Sequence, residues 1–252
     1  MIVPGLVSVT LRQCDIDEVV ALAAECGLQA IHWGGDVHVP LGDHAAAERA
    51  QRRCAAEGIE VEAYGSYYRA GDTDPDSFTA VLDTALALRA PRVRVWAGRR
   101  GSADCSPEDR TSVVDDLRRC ADAAAARGLR IAVEYHPDTL TDELRSAQVL
   151  LRAADHEALE SYWQPRANHP VADAVHEVAQ LRPDLVGVHV FAWGPGGYHD
   201  RLPLSDHQDL WRAAFAELAR DQRERHALLE FVRDDSPDEL REDAATLLSW
   251  LG

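Results

Sequence analysis

No lysine occurs anywhere in the 252 residues, and all 26 basic side chains are arginine. That excludes Schiff-base chemistry and a phosphate loop built on a lysine, because both need an amine. Cysteine is sparse and unpatterned: Cys14, Cys26, Cys54, Cys105 and Cys120 are odd in number and form no CxxC pair. Neither a disulfide frame nor a zinc knuckle is expected, and reduced thiols are. No apolar run approaches the roughly 20 residues that cross a bilayer. The start, Met1-Ile-Val-Pro-Gly, lacks a basic region followed by an apolar one, so no secretory signal is read there. Positive charge is in deficit: 43 acidic residues against 26 basic ones leave a net charge of -17. Such a surface repels nucleic acid and anionic membrane, and neither is an expected partner. The expectation is a cytoplasmic chain.

What is present is regular alternation. Strand-like segments are read at Leu6 to Leu11, Gln29 to Trp33, Ile59 to Gly65, Arg92 to Ala97, Arg130 to His136, Glu160 to Gln164, Leu185 to Phe191 and Ala227 to Val232. Each is followed by a helical pattern with its own start signal, such as Asp15 or Ser106-Pro107-Glu108-Asp109. Eight βα units without a linker-like break predict one α/β domain over residues 1–252, a (β/α)8 TIM barrel. The rival, a doubly wound sheet, lacks its GxGxxG fingerprint after the first strand.

The segment Arg130-Ile-Ala-Val-Glu-Tyr-His-Pro organises the rest. Side chains alternate across a strand, so Ala132, Glu134 and His136 share one face. A carboxylate and an imidazole make a poor core and a good active-site wall. In a (β/α)8 barrel the chemistry lies at the carboxyl ends of the strands. The inward residues there are Glu134, Gln164, His189 and Glu230. Four polar groups from adjacent strands, two of them carboxylates, form a ligand set for a divalent cation. The alternative is a buried hydrogen-bond network, in which two neighbouring carboxylates would repel each other.

This pattern at strands five to eight resembles the xylose isomerase-like TIM barrels, the sugar isomerases and epimerases. Trp33-Gly-Gly-Asp-Val-His-Val-Pro, Val93-Arg-Val-Trp-Ala-Gly and Glu134-Tyr-His-Pro-Asp-Thr-Leu-Thr-Asp carry the likeness further. The resemblance implies one divalent metal ion (Mn, Co, Zn or Mg) on Glu134, Gln164, His189 and Glu230. It also implies Glu134 and Glu230 as the acid/base pair. Two departures stand out. The sixth-strand position, usually Asp in the family, is Gln164, which coordinates without charge. Leu140 and Pro195 occupy places where the sugar epimerases have a carboxylate and an arginine.

The activity implied is isomerisation or epimerisation of a sugar, keto-sugar or inosose, by proton transfer through a metal-stabilised enediolate. The rivals are a metal-dependent lyase or hydrolase on a keto-sugar derivative, and a non-catalytic barrel that has lost its metal. The partner is a small carbohydrate, with association into a homo-oligomer left open. Asp36, His38, Trp96, His136, Asn168 and Trp193 are the expected substrate contacts. The loop reading for Asp36 and His38 is plain solvation, and Trp96 and Trp193 can equally be packing. Arg94 and Glu62, both inward, are expected to pair. His32 reads as a core histidine, Trp163 as outward-facing, and Arg99 and Arg100 as a solvated loop. The Gly-rich stretch Trp193 to His199 reads as a rim or lid.

Overall fold

The computed structural model describes residues 1–252. Eight strands, β1 (Ile2–Val7), β2 (Ala30–Gly34), β3 (Glu60–Arg69), β4 (Arg92–Trp96), β5 (Arg130–Glu134), β6 (Leu159–Trp163), β7 (Leu185–Val190) and β8 (Arg225–Leu229), close a parallel barrel in chain order. β1 completes the ring by pairing with both β2 and β8. Between the strands run α1 (Ile16–Glu25), α2 (His44–Glu57), α3 (Phe78–Leu88), α4 (Pro107–Ala125), α5 (Leu144–Ala154), α6 (Val171–Leu181) and α7 (Gln208–Leu218), and α8 (Pro237–Leu251) ends the chain.

The helix starts follow their local chemistry. Asp15 caps α1 by accepting from the Glu18 N–H, while the Glu18 side chain accepts from the Asp15 N–H, a reciprocal box. Ser106 caps α4 with Pro107 in its first turn, where a missing N–H costs nothing.

β1 and β3 depart furthest from the sequence reading, and a glycine lies within each. β1 begins at Ile2, four residues early, and Ser8–Leu11 is a 3-10 turn. Gly5 lies inside the strand, where a Cβ would sit 2.7 Å from the Ala30 carbonyl oxygen. β3 continues past Gly65 to Arg69. A Cβ at Gly65 would meet His32 Nε2 at 2.7 Å, so this glycine makes room inside the barrel.

The main apolar core lies between sheet and helices. There Trp163 packs against Trp211, facing outward as expected, and donates its N–H to Glu177. The lumen holds a second apolar cluster of only 7 residues, so polar groups fill much of the remainder. Glu62 is at the centre: it accepts from Arg92 (2.7 Å) and from the Tyr162 hydroxyl (2.7 and 2.9 Å), and its other oxygen lies 3.1 Å from His32 Nδ1. Burial alone would raise the Glu62 carboxyl, but His32 and Arg92 hold it well below the usual carboxylate range. The expected Arg94–Glu62 pair is therefore not formed. Arg92, two residues earlier on the same face of β4, lies one layer deeper and takes Glu62, which leaves Arg94 to the layer above.

Candidate active site

That upper layer is at the carboxyl ends of the strands. Glu134 ends β5, Gln164 follows β6, His189 is next to last in β7, and Glu230 follows β8. All four are buried. His189 Nδ1 lies 3.2 Å from Gln164 Oε1, 3.3 Å from Glu230 Oε2 and 3.5 Å from Glu134 Oε1. A single N–H cannot serve three acceptors on three different strands. Donor atoms sharing one ion at about 2.1 Å would lie roughly 3.0–3.4 Å from one another. The observed spacings are close to that, and the ligand atoms of Glu134, His189 and Glu230 all lie within 4.8 Å of one another. The donor chemistry and spacing therefore fit a divalent cation. Burial disfavours a charge on His189, yet the facing carboxylates of Glu230 and Glu134 push its pKa up to about 10. The site thus favours a positive charge at its centre.

The two glutamates are not equivalent. Oε2 of Glu134 accepts from the Trp96 indole N–H at 2.6 Å and lies 3.1 Å from Arg94 Nε. Burial would raise the Glu134 carboxyl, but Arg94 and His189 hold it well below the usual range. Glu230 has no such neighbours: besides His189, no side chain pairs with its carboxylate.

Glu134, Gln164 and Glu230 form the floor of a cleft of about 370 Å3. Of the expected substrate contacts, Trp96, His136 and Trp193 line it. His136 Nδ1 lies 2.6 Å from the Pro137 carbonyl oxygen, which can only accept. In the neutral ring Nδ1 therefore carries the proton and Nε2 the lone pair. Three expected contacts lie elsewhere. His38 is buried beneath the second loop against Trp33, with Nε2 3.1 Å from the Cys14 carbonyl oxygen, so packing claims it. Asp36 stands behind the cleft wall, where one oxygen accepts from both Arg12 Nε and the Tyr67 hydroxyl at 2.9 Å. Asn168 turns toward the seventh loop and donates to the Pro195 carbonyl.

Arg12, Tyr67, Arg94, Tyr198 and Phe231 line the cleft without having been singled out for it. Arg94 was legible as inward, but its height in the barrel was not. Tyr67 was hidden by the assumption that β3 stops at Gly65. Nothing local marks Arg12 or Phe231. Arg99 and Arg100 pair with Asp72 and Asp109, as a solvated loop would. A larger cavity of about 430 Å3 opens at the opposite end of the barrel. Its Arg92 and Arg130 are both paired with Glu160, and no donor set converges there.

The family model described as xylose isomerase-like TIM barrel matches residues 20–251, and the chain belongs to that family. A 3-dehydroshikimate dehydratase from Bacillus anthracis is 27% identical over 185 residues, 68% of this chain. That match spans 64% of the relative's own length. Among solved structures, the probable 3-DHS dehydratase AsbF of petrobactin synthesis from Bacillus anthracis superposes with a TM-score of 0.83 at 20% identity, covering 98% of this chain and 99% of its own. The IOLI protein, solved with a binding zinc atom, gives a TM-score of 0.76 at 14% identity, covering 99% of this chain and 98% of its own.

Proposed function

We propose that this protein is a divalent-metal-dependent carbon–oxygen lyase that removes water from a cyclic hydroxy-ketone of the 3-dehydroshikimate type. The observation that carries this reading over isomerase or epimerase chemistry is the asymmetry of the glutamates. Two-base proton transfer needs two carboxylates free to alternate in protonation. Glu134 Oε2 is instead held by an indole N–H and a guanidinium, which favour a permanent anion. Dehydration needs a single base.

Glu134, Gln164, His189 and Glu230 would hold the ion. When bound, it acts as a Lewis acid on the substrate's carbonyl and acidifies the neighbouring C–H. His136 Nε2 takes that proton, with Nδ1–H fixing the ring on the Pro137 carbonyl. His136 then returns the proton to the hydroxyl departing from the next carbon. One C–H and one C–O bond break, water leaves, and a C=C bond forms. For 3-dehydroshikimate, loss of a further ring proton to the carbonyl oxygen gives an aromatic diol, 3,4-dihydroxybenzoate. Trp96 and Trp193 give the cleft an aromatic lining next to the donors. The likeness to the dehydratase supports the substrate class.

The test is incubation of manganese- or magnesium-loaded protein with 3-dehydroshikimate, reading the diol by absorbance, alongside ketoses and inososes read by solvent deuterium exchange. Diol formation is expected, with losses of about 10²-fold or more in both Glu134→Gln and His136→Gln. Exchange or epimer formation on a keto-sugar without any diol would return the protein to the isomerase reading. A purified protein that takes up no cation would make it a non-catalytic barrel.

A further inference from the structure

The cleft contains two permanent cations in a chain that has no lysine to supply another: Arg94 and Arg12. Arg94 is committed. Its Nε faces Glu134, its Nη1 donates to the Ser66 carbonyl, and its guanidinium lies 4.4 Å from the Trp96 ring centre. Arg12 is held but not used up. Its Nε donates to Asp36 at 2.9 Å, and its Nη1 donates to the Val9 carbonyl at 3.2 Å. An arginine has five N–H donors in a rigid fork. These bonds engage two of Arg12's five, and the Tyr67 hydroxyl is its other polar neighbour. The Arg12 guanidinium stands 5.9 Å from the Phe231 ring centre, on the cleft wall. Asp36 also accepts from Tyr67, so one carboxylate behind the wall orients two wall residues.

We infer that Arg12 is the specificity-determining residue for a carboxylate on the substrate, gripping it at the rim while the other end of the ring meets the glutamate and histidine floor. The inference rests on the lyase reading and narrows it to hydroxy-keto acids, against neutral sugars. Three features of the cleft support it. The free edge of a guanidinium matches a carboxylate in shape and charge. Trp96, Trp193, Tyr198 and Phe231 give the cleft an aromatic lining between the two ends. The surface around the cleft belongs to a protein of net charge -17, which repels an anion unless a placed cation receives it. Asp36 is then a positioning residue: it keeps the fork turned toward the cleft and touches no substrate itself.

The experiment separates binding from turnover. Manganese-loaded protein is titrated calorimetrically with 3,4-dihydroxybenzoate and with 3,4-dihydroxybenzamide, which share the diol and differ only in the anionic group. The wild type is expected to prefer the acid by on the order of tenfold or more, the range of a charge-assisted pair. Arg12→Met should bind both alike, and Arg12→Lys should keep part of the preference. The Arg12 side chain is 41% exposed, so these variants should retain the wild-type thermal midpoint. Equal binding of acid and amide by the wild type, binding of neither, or an undiminished preference in Arg12→Met would each overturn the assignment. A wild type that prefers the acid but never dehydrates 3-dehydroshikimate would sink the lyase reading and leave Arg12's role standing. Dehydration with an unchanged KM in Arg12→Met would do the reverse.

Discussion

Trp96 illustrates how a residue that reads as packing can act through a single atom. Its indole N–H is 2.6 Å from Glu134 Oε2. Trp96→Phe keeps a ring in the wall but removes that donor, leaving Arg94 alone on the oxygen. Loss of such an outer partner of a metal-binding carboxylate costs about 10–100-fold in metal affinity or activity. A manganese titration of the variant should show a weakening in that range, with the fold intact by circular dichroism. Gln164 gives the opposite prediction. Its amide oxygen is 3.2 Å from His189 Nδ1 and brings no charge, so the site has two anions. Gln164→Asp adds a third and should tighten manganese binding on the order of tenfold, since ligand charge sets affinity at such sites. Unchanged or weaker binding would remove Gln164 from the ligand set.

At the scale of elements, α8 docks against the loop before α7 through a buried acid. Asp243 accepts from the Leu204 N–H at 2.8 Å. Burial raises its pKa to about 6, against the lowering effect of that N–H. The folded state thus holds the proton more tightly than the unfolded chain, whose Asp titrates near 3.9. The stabilising contribution is complete below about pH 4 and is lost as pH rises through 6. Asp243→Asn keeps an acceptor for Leu204 and carries no charge. It should stabilise the protein by about 1–3 kcal/mol above pH 6 and have little effect at pH 4. Urea denaturation at the two pH values checks both the sign and the window.

For the whole molecule, the barrel closes through pairs far apart in the chain, such as Gly5 with Leu228 in β1 and β8. Glu134, Gln164, His189 and Glu230 sit at the ends of β5 to β8 within that closed ring, so a cation held by them would couple to global stability. A divalent ion at a hundred times its dissociation constant should add about 2.7 kcal/mol. In a chain of this size that corresponds to a midpoint rise of roughly 5–10 °C. Calorimetry with and without a chelator should show the shift, and its absence in His189→Ala would tie it to this site. No helix is long and apolar enough to cross a membrane.

The eightfold alternation, the helix caps and the four strand-end donors were legible because each depends on short-range rules: the two-residue period of a strand, the capping chemistry of Asp and Ser, and a polar residue where an apolar one is due. Other features depended on how strands stack around the ring. Arg94 meets Glu134 and Arg92 meets Glu62 because the barrel assigns inward residues to layers, and a layer is a relation between neighbouring strands. Gly65 reads locally as a stop, yet it lies within β3, where His32 of the neighbouring strand leaves no room for a Cβ. His38 became packing and Arg12 became cleft wall on the same grounds. Residue types and their period are written along the chain, whereas the free or engaged state of each donor atom depends on distances that exist only once the ring has closed.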